Sequence, residues 1–282
     1  MEALGSIKNL RYLDLQGSNI YYMAGVGKAM REILQNSANT LEGAEFHLSW
    51  NAEGLFDQWP KDKQVAGQHY MSALKILTLS GLHVDENVIK VWDKAINFMA
   101  LRELTVSNFE DKEYLLFQHL TSQSTLAQSG NKPISLRKLF LRMSGQSYGC
   151  TAELKAADLK SKCDFLSSFD TLTSLELSQY GEYSSNIMTN PGLSRYLLQG
   201  ILKHKRLQTL KISYAGMSSQ IKIPFLSGWE VEQLVTGLPD LREFQFAPDE
   251  HQIVRSITYS EHSITLTIFR MPSAQPSPPG KA

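Results

Sequence analysis

Leu172-Thr173-Ser174-Leu175-Glu176-Leu177 carries aliphatic residues at its first, fourth and sixth positions, and this spacing decides how the rest of the chain is read. A strand turns successive side chains to opposite faces. The fourth and sixth positions therefore enter a core, while the third, fifth and seventh face away from it. The same Leu-x-x-Leu-x-(Leu/Ile/Val) pattern starts at Leu10, Leu74, Leu101, Leu136 and Leu207. Chance would supply roughly one such match at this chain's aliphatic frequencies, so the set is a repeat. Weaker copies, Leu41 with Ala44 and Phe46, and Leu241 with Phe244 and Phe246, fill the gaps. Successive starts then lie 31, 33, 27, 35, 36, 35 and 34 residues apart. That interval predicts one strand and one helix per repeat.

These segments resemble the leucine-rich repeat family over residues 4 to 250. The resemblance implies an α/β solenoid, a horseshoe with a parallel sheet on its concave side and helices on its convex side. Two features depart from the family. Most intervals exceed its usual length of about 20 to 29 residues. The Asn or Cys expected three positions after the third aliphatic is replaced by Ser18, Leu82, Phe109, Ser144, Tyr180 and Ala215. An irregular horseshoe with long loops is expected, similar to the degenerate repeats that follow an F-box in many fungal proteins. The implied organisation is a solenoid of about eight irregular repeats over 1–250, capping strands over 251–270 and a disordered Pro/Ser-rich tail over 271–282.

Helical spacing joins Val26, Ala29, Met30, Ile33 and Leu34. Asp85 is the expected N-cap of a helix whose face holds Val88, Val91, Trp92, Ala95 and Met99. A short helix is expected around Tyr114 to Leu120 with a polar loop after it, then a longer helix with Ala156, Leu159, Cys163 and Leu166 on its buried face. Asn190-Pro191 predicts the cap of a helix burying Leu193, Tyr196, Leu197, Gly200 and Ile201, and Ser227 to Glu230 fits a capping box. The stretch 49–72, with Trp50, Phe56 and Trp59, is expected to be an elaborated loop. Alternation over Ile253 to Tyr259 and Ile264 to Phe269 predicts a terminal hairpin. The chain opens almost inside a repeat, so a preceding segment is expected to be missing, or the first edge to meet a partner.

Lys plus Arg and Asp plus Glu each number 28, so no global field draws in nucleic acid or an anionic membrane. Two cysteines, Cys150 and Cys163, are too few for disulfide caps, and no apolar run reaches membrane-spanning length. A cytoplasmic or nuclear protein is expected. Gly25-Val26-Gly27-Lys28 fails as a phosphate loop because Tyr22 and Ala29 stand where a Gly and a Ser or Thr are needed. No His or Cys pair has metal-site spacing, and no nucleophile elbow or dinucleotide fingerprint occurs. Neither enzymatic activity nor a cofactor is expected.

Strand alternation instead defines a face. Its fifth-position column is Asp14, Glu45, Thr78, Thr105, Phe140, Glu176, Lys211 and Gln245, and its seventh-position column includes Gln16, His47, Ser80 and Arg142. Lys138, Phe140 and Arg142, with Glu176 and Lys211 beside them, form the expected partner-binding strip, since aromatic and Arg side chains anchor interfaces. Loop aromatics Trp50, Trp59, Tyr180 and Tyr183, near Tyr148 and Tyr214, read either as core seals or as a recognition edge. Arg11, Lys75, Arg102, Arg137 and Arg242 predict a solubilising basic rim. The expected function is a non-catalytic scaffold for another protein. The family resemblance adds substrate recognition in ubiquitin ligation, with the ligase adaptor as a partner if an F-box-like segment is missing. The alternative is a regulator of another enzyme such as a GTPase.

Overall fold

The computed structural model describes residues 6–17, 26–48, 69–82, 84–107, 112–142, 152–180, 193–215, 226–246 and 264–267. Within these, the side chains of 17, 26, 27, 48, 152–155, 179, 180, 214, 215 and 264–267 are not described. Strands and helices follow one another as β1 (Tyr12–Gly17), α1 (Val26–Ser37), β2 (Gly43–Leu48), β3 (Ile76–Ser80), α2 (Glu86–Ala95), β4 (Glu103–Ser107), α3 (Glu113–Ser129), β5 (Lys138–Arg142), α4 (Ala152–Ser167), β6 (Ser174–Tyr180), α5 (Arg195–Leu202), β7 (Thr209–Ala215), α6 (Gly228–Gly237), β8 (Glu243–Phe246) and β9 (Ile264–Thr267). The result is an α/β protein whose described strands form one sheet in which spatial order equals chain order. Strands β1 to β8 are parallel, and β9 closes the far edge antiparallel to β8.

Register explains the repeat. Fourth-position residues stand side by side, as in Leu104↔Leu139↔Leu175↔Leu210, and sixth-position residues do the same, as in Val106↔Leu141↔Leu177↔Ile212. The first aliphatics Leu74, Leu101, Leu136, Leu172 and Leu207 are buried below them, and both weak copies are buried too, at Leu41, Ala44, Phe46 and at Leu241, Phe244, Phe246. Just before the strands the backbone continues the alignment. The Arg11 carbonyl accepts from the Glu42 and Gly43 amides, that of Glu42 from Lys75 and Ile76, and that of Lys75 from Arg102 and Glu103. One carbonyl serving two amides of the next unit fixes the offset between units, because a slip would leave backbone groups unpaired. Buried helix residues such as Leu34, Trp92, Phe117, Leu166, Leu197 and Leu234 join the same apolar cluster as these columns. The helices thus cover the face that the fourth and sixth positions line, and among the described residues no helix packs on the opposite, open face.

Helix starts match the cap chemistry where it was readable. Asp85 accepts from the amides of Asn87 and Val88, and Ser227 and Glu230 make the reciprocal capping box. Helix α2 ends at Ala95, so Met99 belongs to a separate 3-10 turn, Phe98–Ala100. Three further helical expectations need correction. α3 runs 17 residues rather than one short stretch. Leu120, Ser124 and Ala127 extend its buried face, and the Ser124 hydroxyl donates to the Ser168 carbonyl at 2.9 Å. A small hydroxyl in the helix seam breaks the apolar period while keeping its hydrogen bond buried. α5 begins at Arg195 with Ser194 as its cap, and Tyr196 is 75% exposed while Leu198 is buried. Asn190 and Pro191 lie outside the described residues.

The third correction concerns α4. Ala156 and Leu159 are exposed, and the buried side carries Ser161, Lys162, Cys163, Phe165 and Leu166. Cys163 and Leu166 are buried as expected, while the place of Ala156 and Leu159 is taken by Lys162, whose ammonium meets Glu113 of α3 and Asp158 of its own helix. Of the expected hairpin, Ile264–Thr267 pairs with β8, while Ile253 to Tyr259 and the tail 271–282 lie outside the described residues, as does most of the stretch 49–72.

Candidate interaction face and a buried charge cluster

The open face presents the fifth-position column in register, Asp14↔Glu45↔Thr78↔Thr105↔Phe140↔Glu176↔Lys211↔Gln245. At its centre Phe140 is half-buried on β5 between Thr105 and Glu176. Lys138 is exposed and its Nζ donates to Glu103 Oε1 at 2.8 Å. Arg142 follows at the seventh position opposite Ser178. Lys211 stands opposite Glu176 and lies 3.6 Å from Glu243 on its other side. Lys138, Phe140, Arg142, Glu176 and Lys211 therefore occupy one contiguous strip across β5 to β7. The strip carries three bases and one acid around the Phe140 ring, and Glu103 on β4 and Glu243 on β8 flank it with the two further acids that pair Lys138 and Lys211.

The loop aromatics are not brought into this strip by the described residues. Trp50, Trp59 and Tyr183 lie outside them, and Tyr180 is the last residue of β6, paired with Ala215, with its side chain not described. In the basic rim, Arg11 is engaged by Glu42 at 2.5 Å. Arg137 Nη1 donates to the carbonyls of Ile134 and Leu136, both at 3.1 Å. These two cations serve the connections entering the strands.

Sequence spacing missed a charge cluster beneath the far end of β5. Lys162 on α4 is 1% exposed, and its Nζ donates to Glu113 Oε2 at 2.8 Å, Asp158 Oδ2 at 2.7 Å and the Arg142 carbonyl at 3.1 Å. The ring of Phe117 lies 5.6 Å from the ammonium. Burial raises Glu113 to about 7; the Lys162 charge opposes that rise and Asp158 reinforces it. Lys162 is held above its ordinary value because its two carboxylates outweigh the cost of burying the ammonium. One signal was present: Asp158 and Lys162 are four residues apart and share a helix face. Their partner Glu113 is 49 residues away in the chain, and only packing of α3 on α4 unites them. All three donor positions of Lys162 are filled, which makes the group a structural clamp joining α3, α4 and β5.

His204 is likewise structural. Its ring accepts from the Leu172 amide at 3.4 Å and meets the Leu166 carbonyl at 3.1 Å, and burial lowers its pKa to about 4, leaving it neutral. Among the described residues no helix is long and apolar enough to cross a membrane. No family model, curated protein or solved structure matches the chain.

Proposed function

We propose that the chain is a leucine-rich-repeat-like horseshoe acting as a non-catalytic scaffold in the cytosol or nucleus, binding a partner protein on the open face of β5 to β7. The observation that carries this reading is Phe140, a half-buried aromatic ring whose register neighbours on this face, Thr105 and Glu176, are both polar. An outward ring stabilises the free chain little, yet its burial by a partner would remove apolar area from water. The Lys138/Glu103 and Lys211/Glu243 pairs around it supply a polar rim that sets orientation. The partner expected has an apolar anchor for Phe140 flanked by groups of both charge signs. The resemblance to repeats that follow an F-box makes the ubiquitin-ligase adaptor and its cullin the first partners to seek.

The test is affinity purification of the tagged chain beside a Phe140→Ala, Arg142→Ala variant whose thermal melting is measured in parallel. Partners lost in a variant that melts like its parent support the strip. Retention of every partner, or a large fall in melting temperature, overturns the assignment. Recovery of the adaptor and cullin would extend the reading to ligase recognition.

A further inference from the structure

The open face carries its charge differently at its two ends. From β4 onward, acids stand opposite bases: Glu103↔Lys138 and Glu176↔Lys211, with Glu243 beyond. At β1 and β2 the register sets Asp14 directly opposite Glu45, acid against acid. Like charges facing each other across neighbouring strands are unfavourable. The described open-face positions of β1, β2 and β3 include no lysine or arginine, and Arg11, at the start of β1, is engaged by Glu42. The one nitrogen base present is His47, two residues along β2 from Glu45 and so on the same face, with Nε2 3.1 Å from Glu45 Oε2. One donor atom from each of Asp14, Glu45 and His47 lies within 4.8 Å of the other two.

The carboxylates are also held in place from outside the trio. Tyr12 leans across to β2 and its hydroxyl donates to Glu45 Oε1. Gly43 permits this, since a Cβ there would collide with the Tyr12 ring. Gln16 Nε2 donates to Asp14 Oδ2 at 2.8 Å. Each carboxylate thus has one oxygen fixed from outside the trio, and the second oxygen of Glu45 lies against His47 Nε2, the nitrogen with which it would share a cation; outer hydrogen bonds of this kind orient metal ligands.

We propose that Asp14, Glu45 and His47 bind a divalent transition metal of the zinc class. One imidazole nitrogen and two carboxylate oxygens suit zinc, whose ligands lie at about 2.0 to 2.2 Å. The three donor atoms already lie within 4.8 Å of one another, and a dication cancels the charge of the two opposed acids. Three protein ligands leave a fourth position for water or for a donor from a bound partner. Calcium, which takes about six to eight oxygens, is poorly served by this set. The inference stands independently of the scaffold reading.

The experiment titrates the purified full chain with Co2+, read by visible absorption, and with Zn2+, read by calorimetry. Expected are saturable one-to-one uptake, cobalt bands of low coordination number without the thiolate charge-transfer band that Cys150 or Cys163 would add, and displacement of cobalt by zinc but not by excess calcium. His47→Gln and Asp14→Asn should each weaken zinc binding by about tenfold or more. His119→Ala, an imidazole on α3 paired with Asp93, should leave it unchanged. Melting of the metal-free variants separates loss of ligands from loss of fold, and Glu45→Gln gives a third, shape-preserving check. Absence of saturable uptake, competition by calcium, or an affinity indifferent to His47→Gln and Asp14→Asn would overturn the proposal.

Discussion

Lys138 and Lys162 each meet a glutamate at 2.8 Å, but the sheet separates them into different media. On the open face, the Lys138 and Glu103 side chains are 60% and 36% exposed; on the helix-covered side, those of Lys162 and Glu113 are 1% and 9% exposed. Water screens the first pair and repays either partner for losing the other. The second pair has no such substitute, because helices α3 and α4 have removed the solvent that would rehydrate a lone charge. Distance alone therefore says little about the energetic weight of an ion pair; the medium decides it.

The comparison is broken most directly at Lys162. Lys162→Ala leaves Glu113 and Asp158 without their cation and should cost about 3 to 5 kcal/mol in urea unfolding. A loss below about 1 kcal/mol, the range of exposed pairs, would mean that water reaches the cluster. Leu175 and Glu176 offer an uncharged version of the same contrast, being neighbours in β6 on opposite faces. Leu175→Ala should cost about 2 to 5 kcal/mol as a core truncation, whereas Glu176→Ala should change stability by no more than about 0.5 kcal/mol. Comparable losses at the two positions would invert the assigned faces.

Proton linkage sharpens the contrast on the covered side. Glu113 is raised from 4.5 to about 7, so its contribution is fully present below about 4.5 and is lost as pH rises through about 7. His204 is lowered from 6.5 to about 4, so its contribution is present above 6.5 and is lost as pH falls through about 4. The two slopes oppose each other over nearly the same window. Urea unfolding between pH 4.5 and 7 should therefore vary little from these two groups in the parent. In Glu113→Gln the His204 slope should emerge, with stability rising as pH rises; an unchanged profile would show that Glu113 does not titrate there. The smallest effect is expected at Lys138→Ala, a stability change within about 1 kcal/mol that shrinks further in high salt. A larger loss would place the open-face pair in a drier setting than its exposure indicates.

The parts of the fold legible in the sequence were those written as repetition. Leu-x-x-Leu-x-Leu at near-constant intervals anticipated all eight parallel strands, and their register follows from the same columns. Asp85 and Ser227 announced their helices because capping is local chemistry. The errors fell where burial contradicts residue type. Ser124 lies inside a helix seam that looked polar, and Tyr196 is exposed on a helix face that looked apolar. On α4, Ala156 and Leu159 are exposed while Lys162 is buried, its charge met by Asp158 and by Glu113 from another helix.

The open strip had the same division. Alternation placed Lys138, Phe140 and Arg142 on one face of β5, but it could not foresee that Glu103 would hold Lys138 or that Glu243 would flank Lys211. The trio of Asp14, Glu45 and His47 was invisible to a search for close spacing, because Asp14 comes from the preceding strand, 31 residues before Glu45.

By itself the sequence determined the strand positions, the face each strand residue takes and two of the helix caps, since these depend on neighbours within a few residues and on a repeated apolar count. Tertiary structure alone decided which charges share a low-dielectric interior, which acid faces which base, and where three metal-binding side chains converge. Those outcomes depend on parallel register and helix packing between residues about 30 to 50 positions apart, where side chains meet only after the chain has stacked.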